Sequence, residues 1–221
     1  MEAIRAALLR KPLRLTRERA LVRCGHGTVA GLDEVGRGPL AGPVVAAAVV
    51  LDLKRKLPPG LADSKALTAD ERETLFREIL ATAKVGIASV PQATIDVINI
   101  RQASLKAMCQ AFAALPCQPD IALVDGNDPP RLPCLVETVI KGDARIASIA
   151  AASIVAKVVR DRMMRRLGHV FPAYGFGTNV GYSTATHLSA LDREGPCPFH
   201  RHSFAPVRDA ALERAPEAEA A

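Results

Sequence analysis

Four carboxylates stand where this chain could do chemistry: Asp33, Glu34, Asp125 and Asp143. Asp33 and Glu34 follow the apolar run Val29-Ala30-Gly31-Leu32, Asp125 follows Ile121-Ala122-Leu123-Val124, and Asp143 closes the turn Lys141-Gly142-Asp143. Ligand sites on open α/β sheets collect at the carboxyl ends of strands. Carboxylates gathered there repel one another unless a cation lies between them. Oxygen donors with no His or Cys beside them select hard ions, Mg²⁺ or Mn²⁺. Two such ions, roughly 4 Å apart, clamp both sides of an in-line displacement at phosphorus. The same residues admit a plainer account. A strand-end Asp is commonly a cap or turn residue, and Asp143 stands where it would stabilise the amino end of the next helix. Asp120 and Asp128, in Pro- and Asn-rich loops, are read as turn residues. Side chains alternate across a strand, so Asp33 is expected as the central ligand and Glu34 as a peripheral one.

These acids need elements to hold them. Residues 28–32 and the β-branched run 44–51 read as strands joined by the Gly- and Pro-rich stretch 33–43, a hairpin. Within that stretch Gly36, Gly38 and Ala41 match the spacing of a dinucleotide-binding fingerprint, but Pro39 and Pro43 interrupt it and a strand pattern follows, which excludes that reading. What remains is backbone that a ligand can approach closely, with Arg37 held between two glycines. Thr68 with Glu71 marks a capping box that starts a helix to about Thr82. Lys84–Val90 reads as a strand, 91–115 as a helix, 121–124 and 135–140 as strands, and 144–167 as a long helix whose alanines allow close packing on the sheet. A short helix is expected around 185–193. This order indicates an α/β domain with a mixed five-stranded sheet flanked by helices. Residues 1–27 form a basic amino-terminal extension, 28–169 the main domain, 170–209 a small helical carboxy-terminal subdomain, and 210–221 a tail.

Composition excludes some classes. No apolar run approaches the length of a membrane span. The five cysteines form no C-x-x-C pair and no secretory leader is evident, so reduced, buried thiols in the cytoplasm are expected. The net charge of +6 is concentrated at the amino end, where seven basic residues stand against two acidic ones in residues 1–28. That arm could touch phosphates, and a solvated extension is the favoured reading.

The stretch Gly31-Leu32-Asp33-Glu34-Val35-Gly36-Arg37-Gly38-Pro39-Leu40-Ala41-Gly42-Pro43 resembles the signature of the ribonuclease HII family. Asp63-Ser64-Lys65, Val124-Asp125-Gly126, Lys141-Gly142-Asp143 with the run Ser148–Lys157 and Arg160-Asp161, Gly181-Tyr182-Ser183-Thr184 with His187, and His200-Arg201-His202-Ser203-Phe204 resemble its further motifs in order. The resemblance covers about residues 28–208. It implies a ribonuclease H-like fold and an endonuclease acting on RNA–DNA hybrids and on DNA duplexes carrying ribonucleotides. It also implies cleavage on the 5′ side of the ribonucleotide, leaving 3′-hydroxyl and 5′-phosphate ends, for ribonucleotide excision and primer removal. By the same resemblance Asp33, Glu34, Asp125 and Asp143 bind Mg²⁺ or Mn²⁺, Gly36, Arg37 and Gly38 read the 2′-hydroxyl, and Tyr182 packs on the junction sugar. Lys65, Arg145 and Arg201 are candidates for phosphate contacts. Val180 and Ser183 depart from the family pattern, which usually has lysine and proline or glycine there. A monomer with no membrane partner is expected. The rivals are another two-metal nuclease of the same fold, which would cut all-DNA substrates, and a hybrid-binding module without turnover.

Overall fold

The computed structural model describes residues 13–218. Five strands form one sheet in the order β3-β2-β1-β4-β5, with β1 at Val29–Val35, β2 at Val44–Val50, β3 at Lys84–Val90, β4 at Ile121–Asp125 and β5 at Leu135–Val139. β1 pairs in parallel with β4, and β4 in parallel with β5. β1 and β2 are neighbours joined only by residues 36–43, too short for a parallel crossover. The sheet is therefore mixed, as expected.

The helices are α1 at Thr16–Arg23, α2 at Ala69–Thr82, α3 at Gln92–Ala113, α4 at Ala147–Val170, α5 at Phe176–Asn179, α6 at Ala185–Glu194 and α7 at Ala205–Ala218. The capping box of α2 forms on both sides: Glu71 N–H donates to Thr68 Oγ1 and Thr68 N–H donates to Glu71 Oε2. The helix expected over 91–115 is broken. Asn99 takes a left-handed φ of 65°, and its side-chain oxygen accepts from Gln102 N–H, restarting the helix beyond the kink.

The chain falls into two compact units. Among the described residues, one comprises 13–35, Ala46–Ala88 and Leu105–Val158; the other comprises Gly36–Val45, Ser89–Ser104 and 159–218. The expected boundary at 169–170 falls at the end of α4, whereas the two units divide within that helix, between Val158 and Val159. The expected tail from 210 begins inside α7, where Val207 and Ala210 pack with Leu40 and Leu191. Among the cysteines only Cys197 is buried, and all five are free thiols.

In the first unit Leu21, Val29, Ile121, Leu123, Val139, Ile146 and Ile149 form a core cluster. The alanines of α4 bring it onto the sheet. At Gly31 of β1 even a methyl group would lie 2.2 Å from the backbone carbon of Ser148. Glycine is therefore the residue that lets β1 and α4 meet. In the second unit Ala41, Met164, Tyr174, Phe176, Ala190 and Cys197 cluster, and Tyr174 stacks on Phe176.

Candidate active site

Parallel register does the first work of assembly. Leu32 pairs with Val124, so one step further along the two strands Asp33 and Asp125 come side by side. On the other flank Asp125 pairs with Val139, and the chain turns immediately through Lys141 (φ 55°) into the 3-10 turn Gly142–Ala144. Gly142 N–H donates to Asp125 Oδ1 at 2.6 Å, drawing the turn over the end of β4. One carboxylate oxygen from each of Asp33, Asp125 and Asp143 then lies within 4.8 Å of the other two.

The environment suits a cation. Asp33 and Asp143 are buried and Asp125 is partly so. Burial pushes the Asp33 carboxyl well above the usual carboxylate range; the neighbouring Glu34 and Asp125 charges add to this, and hydrogen bonds from Ser153 and the Glu34 N–H oppose it. Asp125 is raised by burial first and by the Asp143 charge second. Such clustered, desolvated carboxylates are poorly stabilised on their own, and a small dication between them would relieve the repulsion. The donor set is all oxygen, which fits Mg²⁺ or Mn²⁺. Glu34, next along β1, is not one of these three.

A short 3-10 turn, Ser64–Ala66, reaches one of the acids directly and a second through Ser153. Lys65 Nζ lies 3.3 Å from Asp143 Oδ2. Ser64 shares a 2.8 Å hydrogen bond with Ser153 of α4, which is itself bonded to Asp33. Ser64 and Ser153 stand inside motifs quoted from the sequence, which gave neither of them a role. The available signal was a hydroxyl inside an alanine-rich helix face, at a position that packing alone would give to alanine. Arg145 is exposed, with its guanidinium on the Ile140 carbonyl at 3.3 Å.

The second unit holds the Gly36–Pro43 loop, and two fully buried arginines brace it. Arg160 donates to the carbonyls of Pro43, Ala41 and Val180 at 2.9, 3.1 and 2.9 Å. Arg201 donates to Gly36, Arg37 and Gly42 at 2.6 to 3.0 Å. Arg201 is thus no phosphate contact: its donors are taken up by main-chain oxygens away from solvent. Burial pulls Arg160 down to about 10 and Arg201 to about 9, the latter also by the Arg160 charge, and both remain protonated at neutral pH. Gly36 has φ 93° and a Cβ there would meet Arg160 Nε at 2.1 Å, so the brace requires glycine. Arg37 and Gly38 are exposed, and the half-exposed Tyr182 ring lies beside Gly38.

Below Tyr182 runs a chain of hydrogen bonds. Cys197 N–H donates to His200 Nδ1, the two histidine Nε2 atoms meet at 3.0 Å, and His187 Nδ1 meets the Tyr182 carbonyl at 2.8 Å. The first bond fixes a proton on His200 Nε2, and the pattern then closes with both rings neutral. Burial lowers both histidines; His200, next to His187, is lowered to about 4.

A sheet of this order, with acids collected at the carboxyl ends of β1 and β4, belongs to the ribonuclease H-like class of folds. The family profile described as Ribonuclease HII matches residues 30–207. A ribonuclease HII of Xanthobacter autotrophicus is 61% identical over 200 residues, covering 90% of this chain and 80% of the relative. One of Azorhizobium caulinodans is 61% identical over 196 residues, covering 89% and 75%. The crystal structure of the ribonuclease H2 from Pyrococcus horikoshii OT3 matches with a TM-score of 0.75 at 29% identity, covering 84% of this chain and 98% of that one. The chain belongs to the ribonuclease HII family. It is a hydrolase of the ribonuclease H type, an endonuclease for RNA–DNA hybrids. Among the described residues no helix is long and apolar enough to cross a membrane.

Proposed function

We propose that the enzyme cuts the phosphodiester on the 5′ side of ribonucleotides embedded in duplex DNA, as well as the RNA strand of hybrids, leaving 3′-hydroxyl and 5′-phosphate ends. The convergence of three carboxylate oxygens from β1, β4 and the Gly142–Ala144 turn carries this reading. Asp33, Asp125 and Asp143 would hold divalent ions, with Glu34 reaching in from the side. Bound Mg²⁺ or Mn²⁺ supplies a water of lowered pKa and counter-charge for the leaving 3′ oxygen. The protein's own part is to fix the acids: Ser153 orients Asp33, Gly142 N–H orients Asp125, and Lys65 balances the charge of Asp143.

Selection of ribose falls to the Gly36-Arg37-Gly38 backbone and Tyr182. A 2′-hydroxyl distinguishes RNA from DNA at a given position. Backbone at the two glycines can approach it closely; Arg201 holds that stretch at the Gly36 and Arg37 carbonyls, and Arg160 holds the rest of the loop at Ala41 and Pro43. The Tyr182 ring offers an apolar face for the sugar and a hydroxyl at its rim. In the cell this chemistry serves the removal of ribonucleotides left in DNA and of RNA primers.

The deciding assay uses a DNA duplex with one central ribonucleotide, with Mg²⁺, Mn²⁺ or EDTA, beside an all-DNA duplex. Metal-dependent cleavage 5′ to the ribonucleotide, with the all-DNA control intact, is expected. Cutting of both duplexes would favour a general two-metal nuclease. An intact ribonucleotide duplex under every condition would refute the reading.

A further inference from the structure

The sequence alone favours a solvated extension for the amino-terminal arm, and the structure corrects this for its described part. Leu15 and Leu21 are buried, and Glu18 is 1% exposed. Glu18 Oε1 accepts from both the N–H and the hydroxyl of Ser148, each at 2.9 Å, in the first turn of α4. A carboxylate at a helix amino end is favourably placed. With that face of α1 docked, Arg14, Arg17, Arg19 and Arg23 are left exposed.

These cations are gathered into a shape. Arg19 donates to the Leu53 carbonyl at 3.0 Å, which ties the loop after β2 to α1. Between them lies a concavity of about 540 Å³ lined by Arg14, Arg19, Arg23, Lys54, Arg55 and Lys56, with no acid in its lining. A second concavity, of about 790 Å³, is lined by Arg14, Arg17 and Arg145 together with Ala144 and Ile146, again with no acid. Leu13, Arg14 and Thr16 line both, so the two adjoin. The combined track starts at the residues directly after Asp143 and runs along α1 to the loop 54–57. Two acids pair into it, Glu137 with Arg17 and Asp52 with Arg55, leaving cations in clear excess.

Like charges held this close repel one another in the isolated protein, and a polyanion relieves the repulsion. The lining contains no aromatic ring, so it offers nothing on which bases could stack. Guanidinium and ammonium groups along a groove suit phosphates, which position a duplex without reading its sequence. We propose that this track binds the backbone phosphates of the nucleic-acid duplex flanking the cleavage position, extending the substrate path from the Asp143 turn along α1. The proposal rests on the functional reading above for the identity of the polyanion.

The test is equilibrium binding by fluorescence anisotropy in EDTA, across a salt series, with ribonucleotide-containing duplexes of about 12 and about 30 base pairs. The combined variant Arg14→Gln, Arg23→Gln, Lys54→Gln, Lys56→Gln is compared with a charge-preserving set, Arg14→Lys, Arg23→Lys, Lys54→Arg, Lys56→Arg. Each phosphate contact contributes roughly 0.9 to the slope of log K against log salt. For the long duplex the neutralised variant should lose affinity at least about 10-fold near 0.1 M salt, with a slope shallower by about 2 to 4. The short duplex should change by less than about 2-fold, and the charge-preserving set should bind like the unsubstituted protein. An unchanged slope on the long duplex, or equal losses on both lengths, overturns the proposal. Metal-dependent cleavage of the short duplex by the unsubstituted protein is read separately: its failure refutes the functional reading and leaves the binding comparison intact.

Discussion

Ser64 and Ser153 join their buried hydroxyls at 2.8 Å, and through Ser153 this pair is bonded to the Asp33 carboxylate. The same turn that presents Ser64 presents Lys65 to Asp143 at 3.3 Å. Two of the three clustered acids are therefore held from one three-residue turn. Groups that orient metal ligands commonly govern affinity by about 10- to 100-fold. Ser153→Ala should raise the Mn²⁺ concentration for half-saturation about 10-fold by calorimetry, with little change in thermal midpoint. Unchanged affinity would show that Asp33 needs no such support.

Gly31 is the contact point of β1 with α4, where a Cβ would sit 2.2 to 2.5 Å from Ser148 and Ile149 backbone atoms. Main chain cannot rotate aside as a side chain would. Gly31→Ala should cost at least about 2 kcal/mol in urea unfolding, and should also weaken cleavage, because Asp33 lies two residues along the displaced strand. A variant as stable as the parent would contradict this packing.

The paired histidines give stability a pH dependence. Folding lowers His200 to about 4 and lowers His187 as well, so between the ordinary histidine value and about 4 the unfolded chain binds more protons. Their contribution is fully present above about pH 6.5 and is lost as pH falls towards 4. His200→Gln should be less stable than the parent at pH 7, and the gap in thermal midpoint should narrow by pH 4.5. A gap that stays constant with pH would mean the rings do not titrate in this window.

Tyr182 is 44% exposed beside Gly38, while its carbonyl is fixed by His187. The ring is thus presented on a held backbone. Tyr182→Ala should lower kcat/KM on a single-ribonucleotide duplex about 10-fold or more, and Tyr182→Phe by much less, if the ring face does the work. Equal losses in steady-state assays would assign the effect to the hydroxyl instead.

Much of this was legible in the sequence because short-range patterns encode it. Apolar runs ending in acids marked β1 and β4, and the Thr68–Glu71 pair marked α2. Long-range polar pairings were not legible. Glu18 finds Ser148, and Arg201 finds the Gly36–Gly42 carbonyls, through contacts that no local pattern announces. Arg160 and Arg201 read like any charged residue until their burial is known. The kink at Asn99 was hidden because apolar residues continue on both sides of it. The docking of α1 rests on three side chains within an arm whose composition is dominated by arginine.

The most direct measurement is a Mn²⁺ titration of the protein without nucleic acid, followed by electron paramagnetic resonance, beside Asp33→Asn, Asp125→Asn and Asp143→Asn. The unsubstituted protein should bind Mn²⁺, and each substitution should weaken binding strongly and abolish cleavage while the fold persists. Equal Mn²⁺ binding by the parent and all three variants would contradict the claim that these carboxylates form the metal site.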